Sequence, residues 1–309
     1  MIVTVTPNPA LDYGLAVQQL YAGRLHRAAA DELRPGGKGV NVAIMVHRFG
    51  AGVRADGFTA GATGQILTRL LADQGVACGF ITLDQGLTRI NVKIMSEEGT
   101  ATEINGPGPQ VPGPAWSALA DQLSGLSDED TLVLCGAPPA GAPAQVYAGL
   151  AERAASRGTR LVVDVPAPWL QPLLAYHPFL VKPNVAELAE TFCPGATDLD
   201  EDEIIRCARL AQEQGAGHVL VSRGADGAVL LAASGELVWA RPEPGPVANP
   251  VGAGDSALAG FLAAWDRTHD LAVATGWAVA AGTATARQPW LASAGQVAQE
   301  VRQVRVDAR

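Results

Sequence analysis

Short apolar runs alternate along most of this chain with stretches whose apolar residues recur every three or four positions. The first kind predicts buried strands and the second amphipathic helices. Ile2 to Thr6 reads as a buried strand ending at Pro7-Asn8-Pro9. Residues 13–35 show little helical period and read as short strands and turns. Gly36-Gly37-Lys38-Gly39 then opens a helix through Val40, Ala43, Ile44 and Val46 that stops near Gly50. A strand is predicted at 52–58, a helix carrying Ile66, Leu67, Leu70 and Leu71, and a strand at 76–82. Residues 88–95 alternate sharply, with Ile90, Val92 and Ile94 on one face and Arg89, Asn91 and Lys93 on the other. Thr102 to Asn105 reads as the return strand.

From residue 113 onward helix and strand alternate regularly. Strands are predicted at 131–135, 160–165, 179–182, 218–222 and 228–231, and helices at 114–124, 142–157, 185–192 and 202–214. Helices at 255–266 and 270–286 follow the Pro- and Gly-rich stretch Arg241–Pro246. The strands are mostly apolar on both faces, as a parallel sheet covered by helices requires. The expected fold is α/β, with residues 1–309 forming one domain. Segments 12–35 and 84–108 are expected to pair as a small lid over the main sheet.

Composition narrows the class. The chain is 48% hydrophobic and 17% charged, enough apolar residue for a sizeable core, and its formal net charge of −9 argues against nucleic acid or an anionic membrane as partner. Cys78, Cys135, Cys193 and Cys207 are widely scattered without a CxxC pair, which reads as reduced thiols. The start MIVTVTPNPA lacks a basic leader pattern, and the uncharged window 271–286 is too short to span a bilayer. A soluble cytoplasmic protein is expected.

The densest chemistry lies in Asn249-Pro250-Val251-Gly252-Ala253-Gly254-Asp255-Ser256, followed by helically spaced Ala257, Leu258, Phe261, Leu262 and Trp265. Glycines entering a helix leave backbone N–H groups unpaired at its positive end, a setting that favours an anion. An aspartate beside an anion cradle suits a group that takes a proton from an attacking hydroxyl. The same residues also read as a glycine-rich turn followed by a solvated Asp. The face carrying Arg89, Asn91 and Lys93 reads either as solvated or as a surface for phosphate and hydroxyls.

Seven segments, in order, carry a resemblance: TPNPALD at 6–12, GGKGVNVA at 36–43, TRINVKI at 88–94, TEING at 102–106, KPNVAEL at 182–188, VSRGADGA at 221–228 and NPVGAGDSALAGF at 249–261. Together they resemble the ribokinase-like sugar kinases of the PfkB type, in the branch of 1-phosphofructokinase and tagatose-6-phosphate kinase. The match spans essentially the whole chain. There is no GxxxxGK[ST] of a P-loop kinase, and the first strand is not followed by the GxGxxG of a dinucleotide-binding fold.

The resemblance implies a three-layer α/β/α sandwich with a mostly parallel central sheet and a β-sheet lid, transferring a phosphoryl group from ATP to a sugar-phosphate hydroxyl. By resemblance, Asp255 is the catalytic base and Gly252, Ala253 and Gly254 form an anion hole. Asp12, Gly37, Lys38 and Asn41 hold the sugar, and Arg89, assisted by Lys38, holds the phosphate already on it. Lys182, Asn184, Ser222, Gly224, Gly227 and Gly282 border the nucleotide, and Asn184 with Glu187 organises Mg2+ through water. Arg24, His26 and Arg27 stand where the lid often adds basic groups. Asn91, Lys93, Glu103 and Asn105 read equally as support for the site or as lid structure.

Two segments depart from the family pattern. Cys135 to Gly141 reads CGAPPAG where SGSLPPG is usual, and Asp164-Val165-Pro166-Ala167 replaces DxSG. Both concern the sugar side. The implied reaction is fructose 1-phosphate to fructose 1,6-bisphosphate. Tagatose-6-phosphate kinase and 6-phosphofructokinase are the alternatives within the class, and a non-catalytic sugar-phosphate sensor the alternative outside it. The implied partners are a sugar phosphate and ATP, with a homodimer through the lid.

Overall fold

The computed structural model describes residues 1–99, 101–196 and 199–309. The first part of the chain runs β1 (Ile2–Thr6), β2 (Ala10–Val17), β3 (Ala30–Gly36), α1 (Lys38–Arg48), β4 (Val53–Ala60), α2 (Gly61–Asp73), β5 (Ala77–Leu83), β6 (Arg89–Ser96) and β7 (Ala101–Asn105). The middle runs α3 (Gly113–Leu123), β8 (Thr131–Cys135), α4 (Val146–Ala155), β9 (Arg160–Asp164), α5 (Ala167–Leu173), β10 (Leu180–Val181), α6 (Val185–Phe192) and α7 (Glu201–Glu213). The last part runs β11 (His218–Ser222), β12 (Ala228–Leu231), β13 (Leu237–Arg241), α8 (Ala253–Thr268), α9 (Leu271–Ala286), α10 (Ala294–Val301) and β14 (Arg305–Ala308).

A ten-stranded sheet has the order β14-β13-β12-β11-β10-β9-β8-β1-β4-β5. It is parallel from β5 to β11 and antiparallel from β11 through β14. Successive strand residues face opposite cores. Val3, Leu132, Leu134, Leu161, Val163, Val219 and Val221 pack under α3–α7, while Ile2, Val133, Val162 and Leu220 pack under α1, α2, α8, α9 and α10. That is why these strands are apolar on both faces. The expected three layers are present.

From β1 the chain winds one way to β4 and β5 and the other way from β8 to β11, so the order reverses beside β1. Such a reversal leaves a crevice beyond the carboxyl ends of the strands, the usual ligand position in open α/β sheets. Thr6, Cys135, Asp164, Lys182 and Ser222 all lie at or just past those ends. A separate four-stranded sheet, β3-β2-β6-β7, is built from residues 10–36 and 89–105.

Three features depart from expectation. Cys193 and Cys207 are disulfide-bonded, correcting the reading of all four cysteines as reduced; Cys78 and Cys135 are free. The folded-back packing of α6 and α7 brings the two Cα atoms to 6.4 Å although 14 positions separate them. Helices α5 and α10 occupy stretches not expected to be helical; α5 carries Pro172 within it. Strands β13 and β14 were not expected; β14, exposed throughout, pairs with β13 at the sheet edge. Among the described residues, no helix is long and apolar enough to cross a membrane.

Candidate active site

Helix α8 begins at a glycine because the chain must turn there into a left-handed conformation. Gly252 caps it with φ 80°, and a Cβ at this position would lie 2.8 Å from Leu291 Cδ2. The Ala253 N–H donates to Pro250 O at 3.2 Å, and Asn249 Oδ1 accepts from Val251 N at 3.0 Å. The N–H groups of Gly252, Gly254 and Asp255 have no backbone acceptor among the described residues. Three unpaired donors at a helix start make a candidate anion cradle, with the Ala253 amide turned to Pro250 instead.

Asp255 sits in the first turn of α8 and is buried, so the solvated-turn reading does not hold. Asn41, on α1, donates from Nδ2 to Asp255 Oδ2 at 2.8 Å, and its own Oδ1 is buried without a partner. Burial raises the Asp255 pKa to about 6, the Asp164 charge adds to the rise, and Asn41, Lys38 and Lys182 oppose it.

Asp164, at the end of β9, is fully buried between two ammonium groups. Lys38 Nζ donates to its Oδ1 at 2.9 Å, and Lys182 Nζ lies 3.2 Å from its Oδ2. Lys38 Nζ also stands 3.6 Å from Glu187 Oε1. Burial alone would raise the Asp164 pKa, but Lys182 and Lys38 hold it below the ordinary carboxylate value. Burial likewise works against the charge on Lys38, and Asp164 and Glu187 more than offset it. A Cβ on Gly254 would fall 3.6 Å from Lys182 Nζ, which places that cation against the cradle.

These groups open into a cavity of about 520 Å³ lined by Lys38, Lys182, Asn184, Glu187, Ser222, Gly224, Gly227, Gly252, Ala253, Gly254, Asp255 and Gly282. Asn184 and Glu187 form a reciprocal cap on α6: Asn184 Oδ1 accepts from Glu187 N at 2.8 Å and Glu187 Oε2 from Asn184 N at 2.9 Å. The second Glu187 oxygen remains turned toward Lys38. Gly282 lets α9 approach α8 closely, since a Cβ there would lie 3.1 Å from Ala253 O. The loop 242–247 walls the other side. Arg287 ties it down by donating to Glu243 O at 2.6 Å and to Glu300 Oε2 at 2.7 Å.

Asp12, Gly37, Asn41 and Arg89 lie outside that cavity's lining, and Asn41 bridges to it through Asp255. Asp12 faces Asn91 across β2 and β6, and Arg89 donates from Nε to Asn8 O at 3.1 Å. Gly37 caps α1 beside Thr6 and Pro9. Lys38, expected beside Arg89, has its ammonium on Asp164 and lines the cavity. Arg24, His26 and Arg27 lie in the loop between β2 and β3, where His26 stacks on Tyr21 and Arg24 lies over the same ring.

Asp164 and Arg287 were not among the expected site residues. Asp164 had a signal, as the first residue of the segment 164–167 that stands where the family has DxSG. Arg287 had none. A further link joins the small sheet to the cradle: the Pro289 carbonyl accepts from Arg34 Nη1 on β3 at 2.9 Å and from Asn249 Nδ2 at 3.0 Å.

Along nearly its whole length the chain is similar to known proteins. A 1-phosphofructokinase of Bacillus subtilis is 37% identical over 307 residues, covering 99% of each chain. A D-tagatose-1-phosphate kinase of Bacillus licheniformis is 33% identical over 306 residues, again 99% of each. The crystal structure of phosphofructokinase-2 from Escherichia coli in complex with substrates and products superposes with a TM-score of 0.91 at 28% identity, covering 97% of this chain and 98% of that one. The profile of the pfkB family carbohydrate kinases matches residues 10–294, and the chain belongs to that family.

Proposed function

We propose that this kinase transfers the γ-phosphoryl group of ATP to the free primary hydroxyl of a ketohexose 1-phosphate, converting fructose 1-phosphate to fructose 1,6-bisphosphate. The observation that carries this is Asp255 buried at the start of α8 beside unpaired amides, between Asn41 on the sugar side and the cavity on the other. Asp255 takes the hydroxyl proton as the oxygen–phosphorus bond forms and the bond from the γ-phosphorus to the bridging oxygen breaks, releasing ADP. The amides of Gly252, Gly254 and Asp255, with Lys182 and Lys38, bear the charge developing on the transferred group. Asp12 and Asn41 hold sugar hydroxyls, and Arg89 binds the 1-phosphate, for which a guanidinium fork is suited.

The cavity walls from Ser222, Gly224, Gly227, Gly282 and loop 242–247 suit a nucleotide. No cluster of three or more His, Cys, Asp or Glu able to hold a metal occurs among the described residues. Mg2+ is an ion generally carried largely by substrate phosphates and water. Glu187, oriented by Asn184, would hold it through water, where it would neutralise phosphate charge. A cytoplasmic location goes with these substrates.

A ketose 1-phosphate is favoured over a 6-phosphate because the two Bacillus relatives, both above 30% identity, are named for 1-phosphate substrates. Tagatose 1-phosphate is the second reading on the same ground. The test is ADP release with Mg-ATP, comparing kcat/KM for fructose 1-phosphate, tagatose 1-phosphate, fructose 6-phosphate and tagatose 6-phosphate. Preference for a 6-phosphate would overturn the substrate, and no turnover on any of the four would favour a sensor.

The small sheet also offers a surface for a second copy. One face of it carries Leu33, Ile90 and Ile104, which are 37%, 40% and 60% exposed and lie in one register patch with Tyr13 and Val92. A homodimer through this face would cover them. A monomeric mass by light scattering at micromolar concentration would count against it.

A further inference from the structure

Lys93 is one residue of the small sheet whose charge is not spent where its strand position suggests. In register it stands between Gly14 on β2 and Glu103 on β7, yet its ammonium donates to Asp12 Oδ2 at 2.9 Å, two positions along β2. Asn91, directly opposite Asp12, donates from Nδ2 to the other oxygen, Oδ1, also at 2.9 Å. Against the carboxylate lies Gly36, where a Cβ would come within 2.6 Å of the Asp12 carboxyl carbon and of Oδ1, and 2.8 Å of Oδ2. Gly14 presents no side chain opposite Lys93. Both Asp12 oxygens are therefore tethered, and Gly36 packs closely against the group.

An ionised carboxylate has about four acceptor positions. Lys93 and Asn91 use one on each oxygen, which leaves one on each for an incoming donor. A pair of acceptors held at a fixed spacing matches two neighbouring hydroxyls of a sugar. The Lys93 and Asp12 side chains are 21% and 18% exposed, so the pair is partly wet without a ligand and would be desolvated by one.

We propose that Lys93 is a positioning residue for sugar recognition, fixing Asp12 as a rigid two-oxygen acceptor for adjacent hydroxyls of the ketohexose phosphate. The proposal rests on the reading that Asp12 holds sugar hydroxyls. Lys93 itself does not touch the sugar phosphate group.

The test measures steady-state constants for fructose 1-phosphate and ATP in Lys93→Met, Lys93→Arg, Asp12→Asn and the Lys93→Met/Asp12→Asn double variant. Lys93→Met is expected to raise KM for fructose 1-phosphate by about ten-fold or more, as for a lost hydrogen bond to a charged group. KM for ATP and the inhibition constant of inorganic phosphate stay within about two-fold, and Lys93→Arg recovers most of the loss. In the Asp12→Asn background Lys93→Met adds little, because the two act as one unit.

An equal loss in that background overturns the proposal, and so does a raised phosphate inhibition constant, which would put Lys93 on the phosphate. A lowered thermal midpoint with unchanged KM values overturns it too, leaving Lys93 a structural residue. Wild-type protein that turns over no ketohexose phosphate defeats the proposed function itself. Wild-type turnover with an unaffected Lys93→Met variant defeats this inference alone.

Discussion

Asn41 and Asp255, 214 positions apart in the chain, meet through a 2.8 Å hydrogen bond with both side chains buried. The bond joins the start of α1, which carries the proposed sugar residues, to the start of α8, which carries the proposed anion cradle. Asn41 donates to the carboxylate and therefore favours its charged form. Burial and the Asp164 charge favour the neutral form. The balance places Asp255 close to the pH at which a base works.

The first prediction is a pH profile. The acid limb of kcat/KM should fall near pH 6, because Asp255 must be ionised to accept a proton. Asn41→Leu removes a donor that lowers the Asp255 pKa and should move the limb to higher pH. Asp164→Asn removes a charge that raises it and should move the limb to lower pH. Limbs that stay in place in both variants would remove Asp255 from the role of base.

Asp255→Asn should lower kcat/KM by a factor of about 10²–10⁴ while making the protein more stable. The folded-state pKa of Asp255 is raised from 3.8 to about 6, so ionised Asp255 costs the fold roughly 3 kcal/mol at pH 8, at about 1.36 kcal/mol per unit. That cost is full above the folded value, shrinks as pH falls through it, and is gone below 3.8. Urea unfolding at pH 8 and pH 4 checks the sign: the variant's advantage should be large at pH 8 and small at pH 4.

Asp164→Asn should also destabilise, by about 3 kcal/mol, because it leaves Lys182 buried and Lys38 half-buried without their shared counter-ion. A double variant that also carries Lys182→Met should recover part of the loss. Thermal midpoints of the two variants, measured in the same buffer, give the comparison.

Gly252→Ala should cost about 1–3 kcal/mol of stability and lower kcat with little change in KM for the sugar phosphate. Its φ of 80° and the nearby Leu291 both resist a Cβ. Gly254→Ala, whose added Cβ meets only Lys182 Nζ at 3.6 Å, should be less costly to the fold. Chemical denaturation and steady-state kinetics on the pair separate strain from lost catalysis.

What the sequence made legible follows from how each signal is written. The strands at 131–135, 160–164 and 218–222 were readable because two buried faces demand an unbroken apolar run. The helix entered through Gly252 and Gly254 was readable because unpaired amides and a first-turn Asp have a local spelling. Helix α5 was not, since its Pro172 argues against a helix, and β14 was not, since an exposed edge strand carries no apolar period. The clamp of Asp164 by two lysines, the Lys93–Asp12 pair and the Cys193–Cys207 bond are long-range meetings that no window of sequence records.

The Asn41–Asp255 bond also bears on how the chain comes to life. With Lys38 reaching Asp164 across 126 positions as well, the proposed centre exists only once the first, middle and last parts of the chain have docked. Contacts of such long sequence separation form late, after loop-closure entropy has been overcome. Refolding protein should therefore regain sheet and helix signals before it regains phosphoryl transfer. A nascent chain lacking α8 should carry no fraction of the activity.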